Sequence, residues 1–154
     1  MPDESTTLDS PDALAASYTY VLDAPARLLV VDDDPIQREF TSVYLATPTA
    51  EVALASSGEQ ALACLRNEKF NIALIDYEMP GMNGVELLKA IRADWQLADL
   101  PVIMVTSHED IATIDAAYRA GATSFATKPV NWRLLSYQIR YVLRAHALMF
   151  AGSP

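Results

Sequence analysis

The chain has 154 residues, which fits one domain with a short extension. Its 20 acidic and 11 basic side chains give a net charge of −9, so direct binding to nucleic acid, which needs clustered lysine and arginine, is not expected. Hydrophobic residues make up 51% of the chain, which predicts a folded core. A single cysteine, Cys64, excludes an internal disulfide bond and is predicted to fill the core, and two histidines are too few for the common structural zinc sites.

The first 26 residues predict an extension ahead of the domain, which we place at residues 27–150 with a tail at 151–154. The extension opens with an acidic, polar stretch, so a secretory signal is not expected. A capping serine and a proline at Ser10-Pro11 predict a short helix over residues 11–22. The charge-free run from Ala13 to Leu22 is about half the ~20 residues that a membrane span requires. We therefore expect a cytoplasmic protein without membrane contact.

From residue 27 onward, apolar strands alternate with amphipathic helices. Three of the strands are continuous apolar runs, which is typical of strands covered on both faces of a sheet. The predicted strands cover 28–31, 52–55, 72–76, 101–106 and 124–126, and the predicted helices cover 35–45, 57–67, 85–93, 110–120 and 131–150. Five strands alternating with five helices predict a parallel sheet with right-handed crossovers, in a three-layer α/β sandwich.

Polar side chains follow four of the five strands, where ligands bind in open parallel sheets. Asp32–Asp34 follow the first strand, Asp76 and Thr106 end the third and fourth, and Lys128 follows the fifth. Crowded carboxylates raise one another's pKa unless a cation lies among them, and Mg²⁺ prefers such oxygen ligands. A carboxylate can also attack phosphorus, and Mg²⁺, an ammonium and a hydroxyl would stabilise the transferred group. The set therefore predicts phosphorylation of Asp76.

Four segments together resemble the response-regulator receiver domain of two-component signalling. They are Val-Val-Asp-Asp-Asp-Pro at 30–35, Ile-Asp-Tyr-Glu-Met-Pro-Gly-Met-Asn-Gly at 75–84, Val-Thr-Ser at 105–107 and Thr-Lys-Pro at 127–129. Each segment alone is a weak signal, but all four in this order at strand ends are specific. The resemblance covers roughly residues 27–144 and implies a flavodoxin-like fold with strand order 2-1-3-4-5.

The resemblance also implies roles for the acidic residues. Asp76 would accept a phosphoryl group from a histidine kinase or a phosphotransfer protein. Asp33 would bind Mg²⁺ directly and Asp32 would assist through water, while Asp76 and the backbone carbonyl of Glu78 would complete the protein ligands.

Further roles follow for residues on the fourth and fifth strands. Thr106 would bond the phosphoryl oxygen, and Lys128 would pair with the phosphoryl group or with Asp76. Phe125 matches the switch aromatic that turns inward when Thr106 moves, although a static core aromatic is the alternative. Glu78 and His108 lie two residues past Asp76 and Thr106, where the family tunes self-dephosphorylation.

The face formed by the fourth predicted helix, the fifth strand and the fifth helix is the expected signalling surface. The last helix is apolar nearly all round, more than one small domain can bury, which favours a homodimer partner or a following output domain. Its surplus apolar residues are Leu134, Tyr137, Tyr141, Leu148, Met149 and Phe150. Residues 128–135 and 141–145 loosely resemble receivers that precede cyclic-di-GMP output domains.

Two alternatives use the same residues. A magnesium-dependent phosphatase of the haloacid-dehalogenase type would need an aspartate two residues after its nucleophile, where Glu78 follows Asp76. Asp34 does follow Asp32 at that spacing, but Pro35 comes next and no cap insertion is present. A pseudo-receiver that only binds a partner is the second alternative, and the complete set of acids, threonine and lysine argues against it.

Overall fold

The structure, a computed structural model, describes residues 25–150 and contains five strands alternating with five helices in that range. The strands are β1 Ala26–Val31, β2 Ala50–Ala55, β3 Ile72–Asp76, β4 Val102–Thr106 and β5 Ser124–Thr127. The helices are α1 Pro35–Leu45, α2 Gly58–Asn67, α3 Gly84–Ala93, α4 Ile111–Arg119 and α5 Trp132–Phe150. The helix predicted over 11–22 and the tail at 151–154 lie outside the described residues.

The strands form one parallel sheet in the order β2-β1-β3-β4-β5, which confirms the predicted flavodoxin-like topology. Strand β2 begins two residues earlier than predicted, because its pairing with β1 already starts where Ala26 lies opposite Ala50. The next residue of this strand, Glu51, is charged and exposed. It interrupts the apolar run, so a hydrophobicity pattern places the start of the strand after it.

Successive strand residues pack into two different hydrophobic clusters, one on each face of the sheet. In β1, Leu29 and Val31 belong to the cluster that contains α2, α3 and α4, whereas Leu28 and Val30 belong to the cluster that contains α1 and α5. Because side chains alternate in direction along a strand, every strand covered by helices on both faces must be apolar at consecutive positions. This explains the continuous apolar runs and confirms the three-layer arrangement.

Side-chain caps begin the helices that follow β1, β3 and β4. Asp34 accepts a hydrogen bond from the Ile36 amide and precedes Pro35, the first residue of α1. Asn83 forms a reciprocal capping box with Glu86 at the start of α3, which begins one residue earlier than predicted. In the same way, α4 begins after its capping residue, Asp110. These caps hold the loops after β1, β3 and β4 next to the carboxyl edge of the sheet.

Helix α5 buries one stripe and exposes another. Leu135, Ile139 and Val142 are buried in the cluster that α5 shares with α1. Five large apolar side chains of this helix are exposed: Leu134, Tyr137, Tyr141, Leu148 and Met149. Trp132 stacks on Tyr44 of α1 with 4.9 Å between ring centroids, so the two helices contact each other. Among the helices within residues 25–150, none combines the length and apolar character needed to cross a bilayer.

Candidate functional site

Three carboxylates converge at the carboxyl edge of the sheet. Asp32 follows β1, Asp33 comes next in the chain, and Asp76 is the last residue of β3. One carboxylate oxygen from each residue lies within 4.8 Å of the other two. Three hard oxygen ligands at this spacing suit Mg²⁺, which takes carboxylates and keeps several water ligands. The residues that are present therefore fit the predicted metal.

Asp76 is buried, and its surroundings oppose its negative charge. Its side chain lies beneath the carboxyl edge with the residue only 4% exposed. Its pKa is raised to about 7, chiefly by burial and then by the Asp32 carboxylate, and Lys128 only partly offsets these two effects. A carboxyl group that titrates near neutral pH is sensitive to any cation placed beside it, and a cation at the three carboxylates would favour its ionised form.

Lys128, directly after β5, supplies the positive charge next to Asp76. Its Nζ donates a hydrogen bond to Asp76 Oδ1 at 3.1 Å and lies 3.8 Å from Asp32 Oδ2. Burial disfavours the charged ammonium, but the neighbouring carboxylates outweigh it and raise the pKa of Lys128 above its usual value. The lysine therefore stays protonated throughout the physiological pH range and faces the candidate nucleophile.

Two hydrogen bonds orient the acidic turn that begins at Asp32. Asp32 Oδ1 accepts a hydrogen bond from the Asp34 amide at 2.9 Å, and the Asp32 carbonyl accepts one from Arg38 Nη1 at 2.8 Å. The Arg38 contact was not foreseen from the sequence, because an arginine on an exposed helix normally indicates a solvated side chain. It ties the first turn of α1 to the end of β1 and so orients the acidic turn.

Gly84 allows α3 to begin directly against the end of β3. A Cβ at this position would collide with the carbonyl oxygen of Asp76 and would lie 2.8 Å from the Met104 methyl carbon. The Gly84 amide instead donates a hydrogen bond to the Tyr77 carbonyl at 3.1 Å. In the sequence, this glycine looks like the last residue of the turn at residues 80–84. Its role is close backbone packing beneath the candidate phosphoacceptor.

The Thr106 hydroxyl is fully buried at the end of β4 and is hydrogen-bonded on both sides. Thr106 Oγ1 donates to Glu78 Oε1 and accepts from the His108 amide at 3.0 Å. His108 Nε2 lies 3.6 Å from the same carboxylate oxygen of Glu78. The family resemblance implied a backbone carbonyl ligand and a tuning position at Glu78, but no contact between its side chain and Thr106. The side-chain contact with Thr106 depends on a loop conformation that spacing alone could not predict.

Strand register sets the relative depth of the three central residues. Asp76 lies opposite Val105, so Thr106 lies one residue farther along the sheet than Asp76. Thr106 lies opposite Thr127, so Lys128 lies one residue farther than Thr106. The Lys128 amide also donates to the Thr106 carbonyl at 2.8 Å, and the Lys128–Pro129 peptide bond is cis.

Phe125 and Cys64 lie outside the acidic edge and pack against the core. Phe125 is half-buried in β5 and packs against the cluster beneath α2, α3 and α4, and its carbonyl accepts a hydrogen bond from Gln138 of α5. Its switching role stays a prediction. Cys64 packs partly buried against the same cluster, as predicted for a core filler. His146 Nε2 lies 3.0 Å from the Asp99 carbonyl, far from the acidic cluster in the fold.

Comparison with known sequences identifies the family. The sequence model of the response regulator receiver domain matches residues 28–140. The chain is 36% identical over 118 residues to the heme response regulator HssR of Staphylococcus saprophyticus, covering 77% of this chain and 51% of the relative. The HssR of Staphylococcus haemolyticus is 34% identical over 122 residues, with coverage of 79% and 53%. The chain thus spans about half the length of these curated relatives.

Solved structures agree with this result. The chemotaxis protein CheY4 of Vibrio cholerae superimposes with a TM-score of 0.73 at 32% identity, covering 77% of this chain and 99% of that protein. A CheY-like receiver domain protein of Methanospirillum hungatei gives a TM-score of 0.76 at 32% identity, with coverage of 82% and 99%. Together with the matched sequence model and the acidic edge of the sheet, these likenesses show that the chain belongs to the response regulator receiver domain family of two-component systems.

Proposed function

We propose that this receiver is switched by phosphorylation of Asp76, with the phosphoryl group coming from a histidine kinase or a phosphotransfer protein in the cytoplasm. The observation that carries the proposal is the contact between Lys128 Nζ and Asp76 Oδ1, made beside two further carboxylates that suit Mg²⁺. An isolated buried carboxylate would destabilise the fold. A buried carboxylate next to an ammonium and a candidate cation site has the groups that phosphoryl transfer requires.

The reaction is a transfer between two protein side chains. A carboxylate oxygen of Asp76 attacks phosphorus, the P–N bond of the donor phosphohistidine breaks as the P–O bond forms, and the imidazole leaves with the electron pair. Lys128 donates to the carboxylate before transfer and to a phosphoryl oxygen afterwards. When bound, Mg²⁺ supplies positive charge to the phosphoryl oxygens. Its proposed ligands are Asp33, Asp76 and the Glu78 carbonyl, with Asp32 acting through water.

The direct test is the mass of the intact protein after incubation with Mg²⁺ and acetyl phosphate. We expect one added phosphoryl group in the parent, none in Asp76→Ala, and none when Mg²⁺ is removed by chelation. Asp115→Ala, which removes an exposed carboxylate of α4, is the matched control and should be phosphorylated like the parent. Addition to the Asp76→Ala variant would place the chemistry elsewhere and overturn the assignment.

A short-lived phosphoryl group would escape this mass measurement, so beryllofluoride provides the second arm. Binding of this phosphoryl mimic can be detected even where the phosphorylated aspartate would hydrolyse rapidly. Binding to the parent, lost in Asp76→Ala, would support the acceptor role even without a detectable adduct. If the parent binds Mg²⁺ but takes up neither phosphoryl nor beryllofluoride, the domain is a pseudo-receiver.

The output surface is proposed to be the face formed by α4, β5 and α5. Leu134 and Tyr141 of α5 are exposed there, and Gln138 links α5 to the β5 backbone at Phe125. Repacking of β5 after phosphorylation would therefore reach α5 directly. We expect beryllofluoride to increase homodimer formation in sedimentation measurements, and Tyr141→Glu to abolish that increase without weakening beryllofluoride binding. A cyclic-di-GMP output domain stays a prediction carried only by the sequence resemblance.

A further inference from the structure

The buried hydroxyl of Thr106 has already given its one hydrogen to a partner other than the phosphoacceptor. Thr106 Oγ1 donates to Glu78 Oε1, and the His108 amide donates to the same hydroxyl oxygen. A threonine hydroxyl carries a single donor hydrogen. It therefore cannot donate to Glu78 and to a phosphoryl oxygen on Asp76 at the same time.

The Glu78 carboxylate can leave this contact at small cost. Its side chain is 34% exposed, so water can replace the threonine as a hydrogen-bond donor. His108 Nε2 lies 3.6 Å from the same oxygen and is itself largely exposed, so it offers a second place for the carboxylate. Thr106, by contrast, is fully buried and needs an acceptor inside the site, because an unsatisfied buried hydroxyl is costly.

We propose that the Glu78 carboxylate competes with the phosphoryl group for the Thr106 hydroxyl and thereby stabilises the unphosphorylated state. Glu78 is in this sense a positioning residue: it acts through Thr106 on the equilibrium between the two states. The inference rests on the proposed phosphorylation of Asp76. It adds a residue that sets the fraction of unphosphorylated protein in the resting arrangement. A weaker competitor would shift the resting protein toward the arrangement it adopts after phosphorylation.

A double-mutant cycle on beryllofluoride affinity tests the competition. At saturating Mg²⁺, we expect Glu78→Ala to bind beryllofluoride about three- to tenfold more tightly than the parent, because a hydrogen bond to a charged acceptor no longer has to break. In a Thr106→Ala background the same substitution should have little effect, since no hydroxyl remains to compete for. Glu109→Ala removes an exposed carboxylate next to His108 and serves as the matched control, with the affinity of the parent expected.

Simple charge repulsion makes a different set of predictions. If Glu78 only repels the bound anion, Glu78→Ala and Glu78→Gln should tighten binding equally, and the gain should persist without the Thr106 hydroxyl. That pattern would overturn the proposal. Under the competition, Glu78→Gln retains an oxygen acceptor for Thr106 and should gain less affinity than Glu78→Ala.

A measurement without any phosphoryl mimic provides an independent readout. The methyl carbon signal of Thr106 in NMR reports the orientation of its side chain. In Glu78→Ala we expect this signal to move toward its position in the beryllofluoride-bound parent, and no movement would contradict the competition. Failure of the parent itself to bind beryllofluoride would instead count against the proposed function, so the two failures are distinguishable.

Discussion

Lys128 and Asp76 are 52 positions apart in the chain, and yet Lys128 Nζ donates a hydrogen bond to Asp76 Oδ1 at 3.1 Å. The contact exists because β3 and β5 both pair with β4, one on each side, and end at the same edge of the sheet. The lysine thus reaches across the end of β4 to the candidate acceptor. Thr106 is the last residue of that strand.

Replacing Lys128 by alanine should slow Mg²⁺-dependent phosphorylation by acetyl phosphate by about tenfold or more, because one fixed positive charge next to the phosphoryl oxygens is lost. Initial rates by intact mass would measure the effect. Lys89→Ala removes an exposed lysine from α3 and should leave the rate unchanged. An equal loss in both variants would indicate a general charge effect rather than a local one.

Without metal, the free energy of unfolding should fall as pH rises from about 4 to 7 because of Asp76. Its pKa is about 7 in the folded protein against 3.8 ordinarily, so the folded state binds this proton more tightly than the unfolded state. The resulting stabilisation is complete below pH 4 and is lost by the time pH exceeds 7. At pH 8 in chelator, Asp76→Asn should therefore be about 1–3 kcal/mol more stable than the parent.

Urea unfolding at pH 4.5 and pH 8 measures this difference. The gain from Asp76→Asn should be much smaller at the lower pH, because the folded parent then holds Asp76 protonated and pays little of the cost of its charge. Asp115→Asn, at an exposed position of α4, is the control and should change stability little at either pH. A stabilisation by Asp76→Asn that did not depend on pH would contradict the titration of Asp76 as its cause.

Mg²⁺ should stabilise the parent against thermal unfolding, and Asp33→Asn should weaken that effect by lowering Mg²⁺ affinity. Loss of groups behind the direct ligands commonly costs about 10–100-fold in metal affinity, so loss of a direct carboxylate ligand should cost at least about tenfold. Asp34→Asn is the matched control because it is the adjacent acid, lies outside the three-carboxylate cluster and keeps a good helix cap. Titration calorimetry would compare the three proteins, and equal affinities would exclude Asp33 as a ligand.

The same Mg²⁺ affinity should depend on pH. Protons and Mg²⁺ compete for the Asp76 carboxylate, whose pKa is about 7 without metal. Affinity should therefore fall steadily below pH 7 and level off above pH 8. An affinity that is constant between pH 6 and pH 8 would argue that Asp76 does not contribute to the metal site.

Gly84→Ala should destabilise the fold by about 1–3 kcal/mol, because the new methyl group meets the Asp76 backbone, which cannot move without disturbing β3. Gly58→Ala is a closely matched control. Gly58 is also the first residue of its helix, but its new methyl group would meet the flexible side chain of Met82. Thermal unfolding of both variants gives the comparison, and equal losses would mean that the contact with Asp76 is unimportant.

The parallel sheet and its acidic edge could be predicted from local patterns in the sequence, whereas the order of the strands followed only from the resemblance to receiver domains. Continuous apolar runs such as Ile72–Ile75 mark strands covered on both faces, and the residue after each run must lie at the carboxyl edge. What could not be predicted depends on the tertiary positions of loops and long side chains. The Glu78 carboxylate on Thr106 and the Arg38 guanidinium on the Asp32 carbonyl are of this kind. Neither contact has a spacing or a residue type that distinguishes it from a solvated surface group.

The offset between the ends of β3 and β4 determines how far a group on Asp76 must extend to reach Thr106. Because Thr106 stands one residue beyond the level of Asp76, its backbone position is about 3.3 Å farther out along the strand direction. An adduct on Asp76 must therefore extend beyond the end of β3 to come level with Thr106. We therefore expect a compact tetrahedral group to engage Thr106 while a protonated or amidated Asp76 side chain falls short. The backbone hydrogen bonds between β3 and β4, far more rigid than any loop, define that threshold.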